Sequence, residues 1–170
     1  MKDKNYFAIL NAVLRLEVVK GHLRWKMADL SRLSGVNRPL IYYYFGKSKE
    51  VILETALKSI GDEFFGLSTE RMQLWKNGKI KESILMTRTM IAQAPHVAEF
   101  FFHWRHQKSE VASHLKSLEK RYPRKLRENF PKLSEADCEA VFAVFFGLVL
   151  VPELSEATID RVLKAMRLPI

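Results

Sequence analysis

Met27-Ala28-Asp29-Leu30-Ser31-Arg32-Leu33-Ser34-Gly35-Val36-Asn37-Arg38-Pro39-Leu40-Ile41-Tyr42-Tyr43-Tyr44-Phe45 is the stretch on which the reading of the whole chain turns. Met27, Leu30 and Leu33 recur at helical spacing and give a short apolar stripe. Gly35 follows at once, and a glycine turns the chain sharply where other residues are strained. Asn37 suits an N-cap, and Pro39 fits a first helical turn, where its missing N–H is not needed. A helix over about Asn37 to Tyr44 follows. Two short helices around a Gly-Val turn, the second rich in aromatic and polar groups, have the sequence shape of a helix-turn-helix. In that arrangement Val36 plugs the gap beneath the turn, and Leu30 and Ile41 pack against the helix before it. The second helix is then held rigidly outward, its N-terminal end free to enter a DNA major groove.

Outward from this stretch the chain reads as helices throughout. Upstream, Ile9, Val13 and Leu16 share a stripe, with Leu10, Leu14 and Val18 beside it, and Gly21 ends that helix. Downstream, Gly46 breaks the third helix, and Ser48, with Glu50 in the first turn, opens a fourth running to about Leu74. Asn77-Gly78 is a turn. Lys79–Ala94 is a fifth helix, stopped by Pro95. A sixth runs from His96 to about Lys108. A seventh, from Ser109 to about Phe130, bends near Pro123. Ser134 with Asp137 resembles a capping box and opens an eighth, to about Leu150. Ser155 opens a ninth, to about Leu168. The expectation is an all-α chain of about nine helices, with a three-helix head over residues 1–50 and a helical body over 51–170.

Composition is consistent with this and excludes several classes. In 170 residues, 48% are hydrophobic and 28% charged, which are globular rather than disordered proportions. Such a chain buries enough surface to fold without disulfides or structural metal. Cys138 is the single cysteine, which points to a reducing, cytoplasmic setting. Lys2, Asp3, Lys4, Arg15 and Glu17 interrupt any signal-peptide core. The longest charge-free apolar stretch, Ala140–Pro152, has 13 residues against the roughly 20 a bilayer needs, so no membrane partner is expected. The net charge of +9 is uneven: residues 1–60 hold 11 Lys+Arg against 5 Asp+Glu, a net of +6, and residues 61–170 hold 17 against 14, a net of +3. A basic head on a nearly balanced body suggests a polyanion for the head, though a solvated basic surface reads the same way.

The stretch Met27–Phe45, followed by Ser48-Lys49-Glu50, resembles the DNA-binding head of the tetracycline-repressor (TetR) family, and the amphipathic helix ending at Gly21 sits where that family has its first helix. The resemblance covers about Tyr6 to Leu57. It implies that Asn37, Arg38, Pro39 and Leu40 face the groove. Arginine suits guanine there and asparagine adenine. It implies that Tyr42 and Tyr43 reach phosphates or a thymine methyl, and that Lys49 grips a phosphate at a helix N-terminus. Tyr44 and Phe45 are packing. Three departures stand out. Trp25-Lys26 occupies the place of the family's usual capping threonine, so Lys26 reaches a phosphate without capping. The link from Phe45 to Ser48 is one residue longer. The body is short.

For the body, the resemblance implies a cavity filled by a small apolar or aromatic inducer, and Met86, Met90, Phe101, Trp104 and Phe142 are the candidate walls. Plain core is the competing reading for each. It also implies a homodimer made from two helices per subunit. The residues point the same way: Val141, Phe142, Val144, Phe145, Leu148 and Val149 cover more than one helical face and need cover on more than one side. Val141, Phe145, Leu148 and Val149 are the candidate interface, with Gly147 allowing close approach. Complete burial within one chain is the alternative. Two-fold symmetry presents two recognition helices to a pseudo-palindromic operator in double-stranded DNA.

Other chemistry is thin. His103 and His106 with Glu99 and Glu110 have a spacing that could hold a metal, but they read equally as a polar helix face. Acidic neighbours make Cys138 unreactive. No phosphate loop, nucleophile elbow or His-Glu-x-x-His occurs, so neither an enzyme nor a cofactor is expected. The sequence therefore points to a ligand-responsive transcriptional regulator, a repressor in form. The alternatives are a regulator without an inducer, and a helical carrier of an apolar ligand.

Overall fold

In the computed structural model, which describes residues 4–151 and 153–166, every regular element is helical. Among these residues run α1 (Lys4–Lys20), α2 (Met27–Ser34), α3 (Arg38–Phe45), α4 (Lys49–Ser59), a π-turn (Ile60–Phe64), α5 (Thr69–Lys76), α6 (Ile80–Gln93), α7 (His96–Trp104), α8 (Glu110–Asn129), α9 (Glu135–Leu150) and α10 (Glu156–Met166). The expected all-α fold with about nine helices is observed. Leu168, the expected end of the last helix, lies outside the described residues.

Serines set four of the starts. Ser48, Ser68, Ser109 and Ser134 each accept the backbone N–H three residues on, at 3.0, 3.3, 3.1 and 3.1 Å. Ser134 completes the expected capping box, because Asp137 Oδ2 accepts its N–H at 2.9 Å. α8 continues through Pro123 without interruption.

The fourth helix differs from its expected extent. It widens into the π-turn after Ser59, where the Phe65 N–H donates to Ile60 O, and the chain leaves the helix at Gly66, whose φ of 64° is left-handed. Ser68 then starts α5. Apolar spacing runs on through Phe64, Phe65 and Leu67 because all three are buried on either side of the break. Gly61 belongs to the same device: a Cβ there would lie 2.8 Å from Leu118 Cδ2, so its absence lets α8 close onto the turn.

A single core runs from Tyr6 to Ile159. α1 packs most extensively against α7 and α2, and also touches α4 and α6. Asn11 Oδ1 on α1 accepts the His96 N–H at 2.8 Å, which caps α7 from another helix. The centre of the body is filled by five rings, Phe64, Phe65, Phe101, Phe142 and Phe146, with centroids 5.2–6.1 Å apart. The residue-50 division falls inside the first turn of α4.

Candidate nucleic-acid interface

The α2–α3 unit is locked from within. Gly35 takes a left-handed φ of 69°. Ser34 Oγ donates to Leu30 O at 2.7 Å, Ser31 Oγ donates to Val36 O at 2.8 Å, and Ser34 Oγ accepts from Val36 N at 3.3 Å. Val36, Leu30 and Ile41 are buried as the sequence suggests. Asn37 Oδ1 caps α3 by accepting the Leu40 N–H at 3.0 Å. One lone pair of that oxygen is committed to the cap. Tight anchoring on both sides fixes where α3 points.

Its outward side carries Arg38, Pro39 and Tyr43, with Tyr42 and Leu40 half-buried. Tyr43 is 81% exposed, more than any other large apolar side chain described. Its ring stands in solvent on a helix whose other side is anchored in the core. Its ring meets Tyr44 at 5.3 Å, and Tyr6 stacks on Phe45 at 4.8 Å, so the inner half of the aromatic run is packing.

Lys49 differs from its expected place. Its ammonium donates to the Leu23 carbonyl and lies 5.9 Å from the centre of the Trp25 ring, so it points inward rather than into a groove. Arg24, Lys26, Arg38 and Lys47 are exposed and make no ion pair among the described residues. Arg24 and Lys47 escaped the sequence reading; each sits in a short loop flanking the unit, and loop cations just before a helix start are a readable signal. Lys20 and Arg32 are neutralised by Asp29, at 2.7 and 3.0 Å. Asp29 Oδ2 also accepts the Lys26 N–H at 2.8 Å, supplying from the third position of α2 the reciprocal half of a cap. The Lys20 bond above all, then the Lys26 amide, holds the Asp29 carboxyl below the usual carboxylate range.

The candidate inducer walls do not converge. Phe101 and Phe142 belong to the five-ring cluster. Trp104 sits against Phe100 and His22, at 6.4 and 6.1 Å. Met90 is buried, and Met86 is 42% exposed. The four candidate interface residues, Val141, Phe145, Leu148 and Val149, are all buried in the chain's own core, 1–4% exposed, because α6 and α8 cover that side of α9. The outward positions of α9 are instead Ala136, Ala140, Ala143 and Gly147, with the exposed acids Glu135, Asp137 and Glu139 at its N-terminal half.

A second concentration of charge lies on α8, which holds six Lys+Arg against three Glu. A cleft along it is lined by Ser113, Lys116, Ser117, Lys120, Arg121 and Arg124, with no acid. Glu99 pairs with His96 at 2.5 Å, and no group of three or more metal-ligating side chains comes together among the described residues. Cys138 is fully enclosed, and burial pushes its thiol pKa up. No described helix is long and apolar enough to cross a membrane. The chain matches no family model, no curated protein and no solved structure.

Proposed function

We propose that this protein is a cytoplasmic transcriptional regulator of the tetracycline-repressor kind, a repressor that reads an inverted-repeat operator as a homodimer. The observation that carries this reading is the solvent-facing side of α3. A Tyr43 ring 81% exposed stands beside exposed Arg38 on a helix capped by Asn37 and wedged by Val36. A groove-reading helix needs that combination of rigidity with unsatisfied outward chemistry. Exposed Arg24, Lys26, Arg38 and Lys47 around it, without ion pairs among the described residues, supply the attraction to phosphate. For dimerisation, the small-residue stripe of α9 is the surface that supports the reading, since small side chains let two helices approach closely.

Selection of bound sequences from a random DNA pool tests it, with the affinity of the winners followed against salt. An inverted repeat enriched far above the pool sustains the proposal. Binding that never distinguishes one sequence from another leaves only charge attraction and refutes it. The packed five-ring centre favours a second reading of the control mechanism, in which no neutral apolar inducer occupies that place.

A further inference from the structure

Arg71 is only 2% exposed, yet its guanidinium makes no ion pair among the described residues. Neutral acceptors alone hold it. Nε donates to Ser83 Oγ at 3.0 Å, and Nη2 donates to Ser83 O and Thr87 Oγ1. Fully buried cations are ordinarily paired, because neutral hydrogen bonds do not fully replace the water a charge gives up. Burial lowers the proton affinity of this guanidinium, and the field of Glu63 offsets part of that.

Two more enclosed donors lie alongside. Trp75 Nε1 and Tyr122 Oη are buried and have no hydrogen-bond partner among the described residues. Arg71 and Trp75 are one turn apart on α5 and share a face. Tyr122 approaches from α8, its ring 6.4 Å from that of Trp75. Both rings pack on Phe145, at 5.8 and 5.5 Å. Phe145 Cζ and the Arg71 Nε and Nη2 border the same missing Cβ of Gly66, at 3.7, 3.6 and 3.6 Å. The positive field of Arg71 reaches the Tyr122 hydroxyl, whose pKa is otherwise driven up by burial. A guanidinium and an indole can only donate, and the phenol has a proton to give. The set has positive charge and donors in surplus, with aromatic walls.

We infer that Arg71, Trp75 and Tyr122 form a buried carboxylate-binding site, and that its ligand is a small aromatic acid. A carboxylate brings two acceptor oxygens and one negative charge, which answer the two orphaned donors and the unpaired cation together. The ring of the acid packs against Phe145, Trp75 and Tyr122. The non-helical turn at Gly66 borders the guanidinium, 3.6 Å from Nε and Nη2 at the place of its missing Cβ. Naming this acid as the effector rests on the regulator reading; the binding itself does not.

Thermal shift and calorimetric titration of the full chain with benzoate, against benzamide at matched ionic strength and without DNA, decide the matter. Benzoate is expected to raise Tm and benzamide to leave it unchanged. Tyr122→Phe removes an unpartnered buried hydroxyl, so the ligand-free variant is expected to be as stable as the parent or more so, while benzoate binding weakens about tenfold. Arg71→Gln is expected to abolish the benzoate response. No Tm shift at about 10 mM benzoate, an equal shift with benzamide, or binding undiminished in Tyr122→Phe would each overturn the inference. Because no DNA is present, such a failure leaves the operator reading untouched, and failure of the operator selection leaves this titration intact.

Discussion

The indole Nε1 of Trp25 donates a 2.5 Å hydrogen bond to Oε1 of Glu17, a carboxylate with no exposure to solvent. The same oxygen accepts the Leu23 N–H at 3.0 Å, and Oε2 contacts His22 Nδ1 at 3.0 Å. One acid at the end of α1 thus gathers the whole connection to α2, including Leu23 at an uncommon φ of 55°. Glu17→Ala strands the buried Trp25 Nε1–H and the part-buried Leu23 N–H and is expected to cost about 3 kcal/mol, read as a lowered urea midpoint with unchanged slope. A loss below a few tenths would mean that water reaches the site.

On the outer face of α3, stability and DNA affinity are expected to separate. Tyr43→Ala and Arg38→Ala should leave Tm unchanged and weaken the selected operator, Arg38→Ala by about tenfold to a hundredfold. Lys26→Ala and Lys47→Ala should each flatten the salt slope by roughly 0.9. Lys49→Ala should do the reverse, lowering stability by about 1 kcal/mol with the salt slope kept, because its ammonium is spent on Leu23. A Lys49 variant that changes only the slope would restore it to the interface.

Asp29 gives the head a defined response to acid. Its carboxyl is held below the ordinary range, chiefly by Lys20. A folded-state pKa below the unfolded one stabilises above the unfolded value, and that stabilisation fades as pH falls through the folded one. Asp29→Asn is therefore expected to be less stable than the parent at neutral pH, with the gap closing in acid. Unfolding curves for both proteins across pH test this, and a gap independent of pH contradicts it.

Phe101 and Met86, offered by the sequence as walls of one cavity, should behave oppositely. Phe101→Ala opens a void among packed rings and is expected to cost about 3–5 kcal/mol. Met86→Ala removes a half-exposed side chain and should shift stability by less than about 0.5 kcal/mol. Chemical denaturation of the pair is sufficient.

A side chain at Gly147 meets nothing within 4 Å in the single chain. Gly147→Arg is therefore expected to leave the subunit folded while converting a dimer to a monomer, seen by sedimentation or light scattering. A variant that still dimerises moves the interface off this stripe of α9.

The helix-turn-helix was legible because its determinants are local. Gly35 needs a left-handed φ, Asn37 reaches only three residues, and Ser134 and Asp137 cap each other within one turn. What escaped depended on distant partners. Lys49 turns inward because α4 starts beside the Leu23 carbonyl, 26 residues earlier in the chain. The break at Gly66 was masked by apolar residues that stay buried on both sides of it. On α9, apolar side chains at nearly every angle gave no single face. Its alanine and glycine positions, which do mark the outward side, carry too little hydropathy to be seen in a periodicity. Arg71 gave no signal in the sequence, since nothing local says that α6 will close over it.

The cap that Asn11 places on α7, together with the continuous core along α1, bears on how this protein can be engineered. A fragment cut after α3 would strip α1 of its α4, α6 and α7 neighbours and leave Asn11 Oδ1 without the His96 N–H, so an adhesive surface would replace a folded unit. The helix-turn-helix is therefore not a graftable cassette. Chimeras would need to carry α6 and α7 with it.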